Sequence, residues 1–272
     1  MASKNKVNLE QKFYCVISGA SKGIGRTIAQ KLAGKFLPGS VIVLLARSSS
    51  GLEETRSLLL AINPNISVVL NPIDLLKPNI ETFDQILASS VQGLNLHDFD
   101  VAMIVHNVGS VGDISKTVID LTNLNHLQDY YTLNVFGVAL LNSAFFKLIG
   151  KTHNIPCDNY KTIVVNITSL LAIKPFKSMG YYGPGKAARE MLFKVLAEEE
   201  QNVLVLNYSP GPVKTDMIQT IINDVGDADV KNIFVTMRDE NKILSTDETT
   251  SKLLTILGNG KFASGDHVDY FD

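Results

Sequence analysis

Tyr182 and Lys186 stand four residues apart in Tyr182-Gly-Pro-Gly-Lys186, thirteen residues after Ser169. On a helix this spacing puts both side chains on one face, so a phenol and an ammonium can converge on one point. A free tyrosine titrates near pH ~10, and a neighbouring cation favours its phenolate. A phenol tuned in that way can pass a proton close to neutral pH. The same spacing also fits a surface lysine beside a packed tyrosine, so the pair takes its meaning from its surroundings. Ser169 likewise has two readings: a hydroxyl that orients a carbonyl oxygen, or a capping or turn serine.

A second constellation lies near the N-terminus. Ser18-Gly19-Ala20-Ser21-Lys22-Gly23-Ile24-Gly25 joins an apolar run to a segment of helical period. Glycines there let the backbone turn tightly and approach a pyrophosphate, whose charge is met by the helix N-terminus. The G-x-x-x-G-x-G spacing differs from G-x-G-x-x-G, although the strand-to-helix context is the one a dinucleotide site requires. The next strand candidate ends in Ala46-Arg47-Ser48, with no carboxylate before Glu53. A carboxylate at that point would hold the ribose 2′-OH of NAD, whereas an arginine accommodates the 2′-phosphate of NADP. Arg47, with Lys22 as a second cation, points to NADP(H) over the alternative of two solvated surface charges.

Short β-rich runs must position these residues. Strand candidates are Phe13–Ser18, Val41–Ala46, Ser67–Asn71, Val101–His106, Thr162–Ile167, Val203–Asn207 and His267–Phe271. Their apolar residues are continuous rather than alternating, as in strands buried on both faces. Helical periods run over Ile24–Phe36, Leu52–Ile62, Ile80–Val91, Leu124–Ile149, Tyr182–Gln201 and Thr246–Leu257. This alternation predicts an α/β fold, a Rossmann-type doubly wound domain over residues 1–272, with a seven-stranded, mostly parallel sheet flanked by helices. Asp216–Asn241 has few strand signals and mixed charge, and reads as a substrate-covering segment beyond the carboxyl ends of the strands. Asn134 falls in the helix whose apolar face runs through Leu127, Tyr130, Tyr131, Val138 and Leu141, and there it needs hydrogen-bond partners.

Composition narrows the class. The 272 residues are 45% apolar and 19% charged, enough for one large domain with a buried core. A net charge of −2 gives no basic field for nucleic acid or an anionic membrane. Cys15 and Cys157 form no CxxC, Cys15 reading as a core residue, and the five histidines are scattered, so no metal is expected. Residues 1–12 are polar and lack the apolar stretch of a signal peptide. No uninterrupted apolar run approaches the ~20 residues of a membrane span. The expectation is a cytosolic protein.

In order, Gly19-x-x-x-Gly23-x-Gly25, Asp74, His106-Asn107-Val108-Gly109, Asn134, Ser169, Tyr182 with Lys186, and Pro210-Gly211 resemble the short-chain dehydrogenase/reductase family from about residue 12 onward. The family usually shows Asn-Asn-Ala-Gly where this chain has His106-Asn107-Val108-Gly109. The resemblance implies hydride transfer from NADPH to a ketone, with Tyr182 donating the proton and Ser169 orienting the oxygen. Lys186 would lower the Tyr182 pKa and hold the nicotinamide ribose, and Asn134 would hold a water linking the lysine to solvent. Around the cofactor it implies Gly19, Ala20, Ser21, Lys22, Gly23, Ile24 and Gly25 at the pyrophosphate and Arg47 and Ser48 at the 2′-phosphate. Asp74 and Leu75 would lie near the adenine, and Asn107 and Gly109 along the nucleotide. Val213, Lys214, Thr215, Asp216, Met217 and Ile218 would close over the nicotinamide end. It also implies a homodimer formed through the helices Leu124–Ile149 and Tyr182–Gln201.

Leu170–Lys177, Gly185–Phe193, Asn207–Met217 and Ser264–Asp272 carry a narrower resemblance, to the family's reductases of pterin side-chain ketones in tetrahydrobiopterin biosynthesis. It makes Asp269 the pterin anchor, since a carboxylate can accept two parallel hydrogen bonds from the 2-amino group and a ring N–H. Leu170, Gly211 and Met217 would line the pocket beside Ser169 and Tyr182. The alternative is a carbonyl or diketone reductase of the same family with a non-pterin substrate.

Overall fold

The structure is a computed structural model that describes residues 5–150 and 161–272. Cys157 lies outside the described residues. The strands are β1 Phe13–Ser18, β2 Val41–Ala46, β3 Ser67–Pro72, β4 Val101–His106, β5 Thr162–Ile167, β6 Val203–Ser209 and β7 His267–Asp269. They form one sheet in the order β3-β2-β1-β4-β5-β6-β7. All its pairings are parallel rather than mostly so. The chain winds outward from β1 to β3, then returns to the other side of β1 with β4. The crevice at that reversal, outside the carboxyl ends of β1 and β4, is where such sheets bind ligands.

Alternate side chains of β1 feed two cores. Phe13, Cys15 and Ile17 pack with Ile28 and Leu32 of helix α1 (Gly23–Ala33), Leu52 and Leu59 of α2 (Ser49–Ile62), and Leu253 and Leu257 of α9 (Thr246–Asn259). Tyr14 and Val16 face the opposite layer, Phe83 and Leu87 of α3 (Ile80–Ser90), Leu141 and Phe145 of α5 (Gly137–Ile149) and Phe193 of α6 (Tyr182–Glu199). Because both faces are covered, central strands need no polar face, which is why they read as unbroken apolar runs.

Most boundaries move by a few residues from the sequence reading, and three of the differences have a physical reason. α1 stops at Ala33, because Gly34 follows and the next turn is not helical. β7 ends at Asp269 rather than Phe271: the Asp269 N–H donates to Asp272 Oδ2 and the Phe271 N–H to Asp269 Oδ1, folding the chain into a turn. The helical run from Leu124 holds α4 (Leu124–Tyr131), a π turn over Thr132–Phe136, and then α5. Within that 26-residue run an 18-residue window has a mean hydropathy of 1.5, so the run is long and apolar enough to cross a membrane by length and composition. Its apolar side chains Val138, Leu141, Ala144, Phe145 and Ile149 are buried in the core of this fold instead.

Residues 216–241, which gave no clear element from sequence, form α7 (Asp216–Asp224) and α8 (Ala228–Asp239). Asp227 caps α8 by accepting from the Asp229 and Val230 N–H groups. Ile218, Ile221 and Ile222 of α7 and Val230 and Phe234 of α8 build a third apolar cluster with Val111, Met179 and Tyr182. The two helices therefore wall the space beyond the strand ends.

Candidate active site

β1 runs into the glycine loop, where Gly19 takes φ +69° and a Cβ on Gly25 would lie 2.3 Å from the Gly19 carbonyl oxygen. Only glycine fits that close approach. Asn107 holds the loop shut from β4, its Nδ2 donating to the Ser18 and Gly19 carbonyls at 3.2 Å each. Ser18 Oγ in turn accepts from the Asn107 and Val108 N–H groups. The Asn107 Nδ2 is thus committed to the loop. α1 begins with no acidic residue in its first turn and no side-chain cap, which suits an anion at its N-terminus.

Arg47 follows β2, exposed, and Ser48 caps α2 by accepting from the Gly51 N–H at 3.1 Å. A Cβ on Gly51 would lie 2.9 Å from the Ser21 Cβ, so the start of α2 abuts the glycine loop. Lys22 reaches the other way, pairing with Asp216 at 2.5 Å across the loop. Both partners are exposed, so the pair holds weakly and is open to competition by an anion. Asp74 Oδ1 accepts from the Leu76 N–H, and the Leu75 side chain is buried in the core.

The proton-handling groups meet at the ends of β4 and β5. Ser169 Oγ accepts from the Leu171 N–H at 3.2 Å, and its side chain lies close enough to Tyr182 to lower the phenol's pKa. Ser169 thus caps the turn that follows β5. The Tyr182 hydroxyl also lies 3.9 Å from Met217 Sδ. Lys186 Nζ donates to the Ile167 carbonyl at 2.7 Å and sits 5.6 Å from the centre of the Tyr182 ring. A Cβ on Gly109 would come within 3.3 Å of Asn134 Oδ1 and 3.7 Å of Lys186 Nζ, so these three are neighbours. Asn134 lies in the π turn: its Nδ2 donates to the Tyr130 carbonyl and Ser110 Oγ, and its Oδ1 accepts from the Ser110 N–H. Such single-turn π bulges recur at functional sites.

Charge at this point is arranged differently from the sequence reading. Burial raises the Tyr182 pKa, and Ser169 and the Arg189 charge pull back only part of that rise. Burial and the nearby Arg189 push Lys186 well below the usual lysine value. Arg189 is thus a further cation acting on Tyr182, while Lys186 Nζ donates to a backbone carbonyl.

Beneath the site lies a buried polar layer that the sequence reading did not single out. Arg189 donates to Asn166 Oδ1 and to the His106, Val108 and Ile167 carbonyls. Asn166 continues to Asn207 and Asn207 to the Gly265 carbonyl. Glu190 accepts from Thr168 and His267 at 2.8 Å each and pairs with Lys194 at 2.8 Å. A signal existed. Arg189 precedes the apolar Phe193 and Ala197 by one and two helical turns, on the face that enters the core. Gly185 has a packing reason as well: its Cβ would lie 2.5 Å from the Tyr130 ring.

The segment after β6 spans the remaining distance. Val213 pairs with Leu244, and the Lys214 N–H donates to the Leu244 carbonyl. The Thr215 methyl lies 3.6 Å from where a Gly23 Cβ would stand, and Ile218 packs in the cluster that holds Tyr182. Asp269 pairs with Ser209 in the β6–β7 ladder, and Gly211 (φ +72°) packs against Leu244, Tyr270 and Phe271. Among the described residues no hydrogen bond joins Asp269 to Ser169 or Tyr182, so these form two groups, one at β5–α6 and one at the β6–β7 edge. Leu170, in the turn that follows Ser169, is exposed.

Residues 14–226 match the short chain dehydrogenase family. The chain belongs to that family. It is an oxidoreductase, and the family works with a nicotinamide cofactor. Sepiapterin reductase of Bos taurus is 36% identical over 271 residues, covering 99% of this chain and 98% of the bovine protein. Benzil reductase ((S)-benzoin forming) of Bacillus subtilis strain 168 is 26% identical, covering 90% of this chain and 93% of its own. Among solved structures, an NAD+-bound xylitol dehydrogenase superposes with a TM-score of 0.78 at 19% identity, covering 97% of this chain and 98% of its own. At that identity the likeness is one of fold. In sequence, this dehydrogenase is most like sepiapterin reductases.

Proposed function

We propose that this enzyme reduces side-chain ketones of 6-substituted pterins, including sepiapterin and 6-pyruvoyl-tetrahydropterin, with NADPH as reductant. One observation carries the direction of the chemistry: the buried Tyr182 phenol, close to Ser169, has a raised pKa and so keeps its proton at neutral pH. A phenol in that state is a general acid. Tyr182 donates its proton to the ketone oxygen, while Ser169 holds that oxygen in line. Lys186, desolvated beside the phenol, passes a replacement proton toward Tyr182, and Asn134 and Gly109 flank its route to solvent.

The residues present suit a dinucleotide. The glycine loop leaves room that a single Cβ would fill, and the uncapped start of α1 faces it. Arg47 is exposed and has no ion-pair partner among the described residues, which favours a 2′-phosphate. The bound cofactor supplies the hydride. Similarity to the bovine sepiapterin reductase extends over nearly the whole chain, including the C-terminal strand that carries Asp269, and supports a pterin held there. α7 and α8 then wall the substrate pocket. Phe136 of the π turn before α5 and Met191 and Val195 of α6 are exposed and support a homodimer through those helices.

The test is NADPH oxidation with sepiapterin against benzil. A preference for sepiapterin supports the pterin reading. A kcat/KM for benzil about tenfold above that for sepiapterin would replace it with the diketone reading that the Bacillus similarity favours.

A further inference from the structure

The side chain of Arg189 is among the most deeply buried in the protein, and among the described residues no carboxylate pairs with it. Glu190, next in the chain, is occupied by Thr168, His267 and Lys194. The guanidinium is held by uncharged oxygens: Asn166 Oδ1 at 2.7 Å, the Val108 carbonyl at 2.6 Å, the His106 carbonyl, and the Ile167 carbonyl at 3.5 Å. Those acceptors sit on or just beyond the ends of β4 and β5, the strands that lead to Gly109 and Ser169. The Ile167 carbonyl is shared with Lys186 Nζ. Two cations one helical turn apart thus converge on a single oxygen below the reacting phenol.

We propose that Arg189 is a positioning residue of the reaction, a fixed, uncompensated positive charge that keeps the Tyr182 phenol able to release its proton and pins the strand ends bearing Ser169 and Gly109. It does not touch the substrate; it acts through Tyr182 and Lys186. A buried cation without a carboxylate is costly unless fully hydrogen-bonded, and here its donors meet four acceptors. Its pKa is lowered by burial to about 10, so the charge persists at neutral pH. The other titratable groups around it leave that charge unopposed. Tyr130 of α4 and Tyr182 are protonated phenols with raised pKa values, and Lys186 is depressed. The His106 imidazole is held neutral by burial, with a pKa of about 3. Without Arg189, only Ser169 would oppose burial at Tyr182, and the proton would be held harder.

The inference rests on Tyr182 as the proton donor and is independent of the pterin. The experiment is the pH dependence of kcat for reduction in the full-length enzyme carrying R189Q, R189K, Asn166→Asp or Tyr182→Phe, with thermal melts alongside. Y182F tests the premise: full activity in that variant removes the proton donor, whatever Arg189 does. Given a dead Y182F, R189Q moves the alkaline limb up by about one pH unit, as expected for loss of a charge near a phenol. R189K, which keeps the charge, returns the limb toward the wild-type position. Asn166→Asp leaves Arg189 in place but sets a carboxylate against its Nε, and moves the limb up as R189Q does. It also decides the matter if R189Q fails to fold. A limb that stays put in Asn166→Asp, or in a folded R189Q whose kcat has merely fallen, overturns the electrostatic role and leaves Arg189 as packing.

Discussion

Glu190 offers the sharpest test of how the catalytic helix is fastened to the rest of the site. The residue is 2% exposed, a setting that by itself would raise a carboxyl pKa. Hydrogen bonds from His267, Lys194 and Thr168 outweigh that burial and hold the pKa at about 2, against an ordinary 4.5. Because the folded value lies below the unfolded one, the carboxylate stabilises the fold fully above pH 4.5, and this contribution is lost as pH falls toward 2. A shift of that size is worth about 3 kcal/mol at ~1.4 kcal/mol per pH unit. Glu190→Gln keeps one acceptor oxygen for His267 or Thr168 but presents an amide N–H₂ to Lys194 and loses the charge. The expected loss at neutral pH is about 2–3 kcal/mol, or a Tm lower by roughly 5–10 °C for a chain of this length. Urea unfolding of wild type and variant at about pH 7, 5 and 3.5 reads the gap directly. It should hold between the first two and narrow by roughly 40% at the third, where pH still lies above the folded value. A gap of unchanged size at the lowest pH would refute the reasoning, since it would show a steric defect rather than a missing carboxylate. The same variant should lower activity, because Thr168 precedes Ser169 and His267 lies two residues before Asp269.

Three further outcomes follow from the geometry. Asp269→Asn retains an oxygen to accept the Phe271 N–H, so the fold is spared; the sepiapterin KM should rise roughly thirtyfold, for about 2 kcal/mol of charge-assisted bonding, with the NADPH KM unchanged. Equal losses for both ligands would sink the pterin anchor. Arg47→Asp should raise the NADPH KM by at least about tenfold and spare NADH, in steady-state assays with each cofactor. Gly185→Ala drives a methyl into the Tyr130 ring, and the overpacking should cost about 1–3 kcal/mol in a denaturant melt while Gly183→Ala costs less.

What could be read from the residues alone follows from how each element earns its stability. The central strands were legible because a parallel sheet covered on both faces demands apolar residues throughout, and Phe13–Ser18 or Val41–Ala46 leave no other reading. α7 and α8 were not, because short helices whose apolar residues meet only in the third cluster are stabilised by tertiary contacts rather than by a strong local period. The π turn was hidden for a similar reason. Asn134 signals a need for partners, but that the helix widens by one residue to let its amide reach the Tyr130 carbonyl is decided by the neighbouring Ser110 and Gly109.

The buried charges are the deeper case. An arginine and a glutamate side by side on a helix read as a solvated face, yet Tyr182, Lys186, Glu190 and Lys194 fall at successive fourth positions, a single stripe down α6. That stripe runs from reacting phenol to desolvated amine to the carboxylate that grips Thr168 and His267, with Arg189 beside it. Motif reading stops at Tyr182 and Lys186, because two residues at one spacing suffice to name the proton chemistry. The structure extends the stripe by two more turns and ties it to both strand ends. A catalytic helix fixed that way cannot rotate or slide without leaving a buried charge unsatisfied, at a cost of several kcal/mol. The position of the Tyr182 hydroxyl against Ser169 is thus set by the ionic layer below it as much as by the helix that carries it.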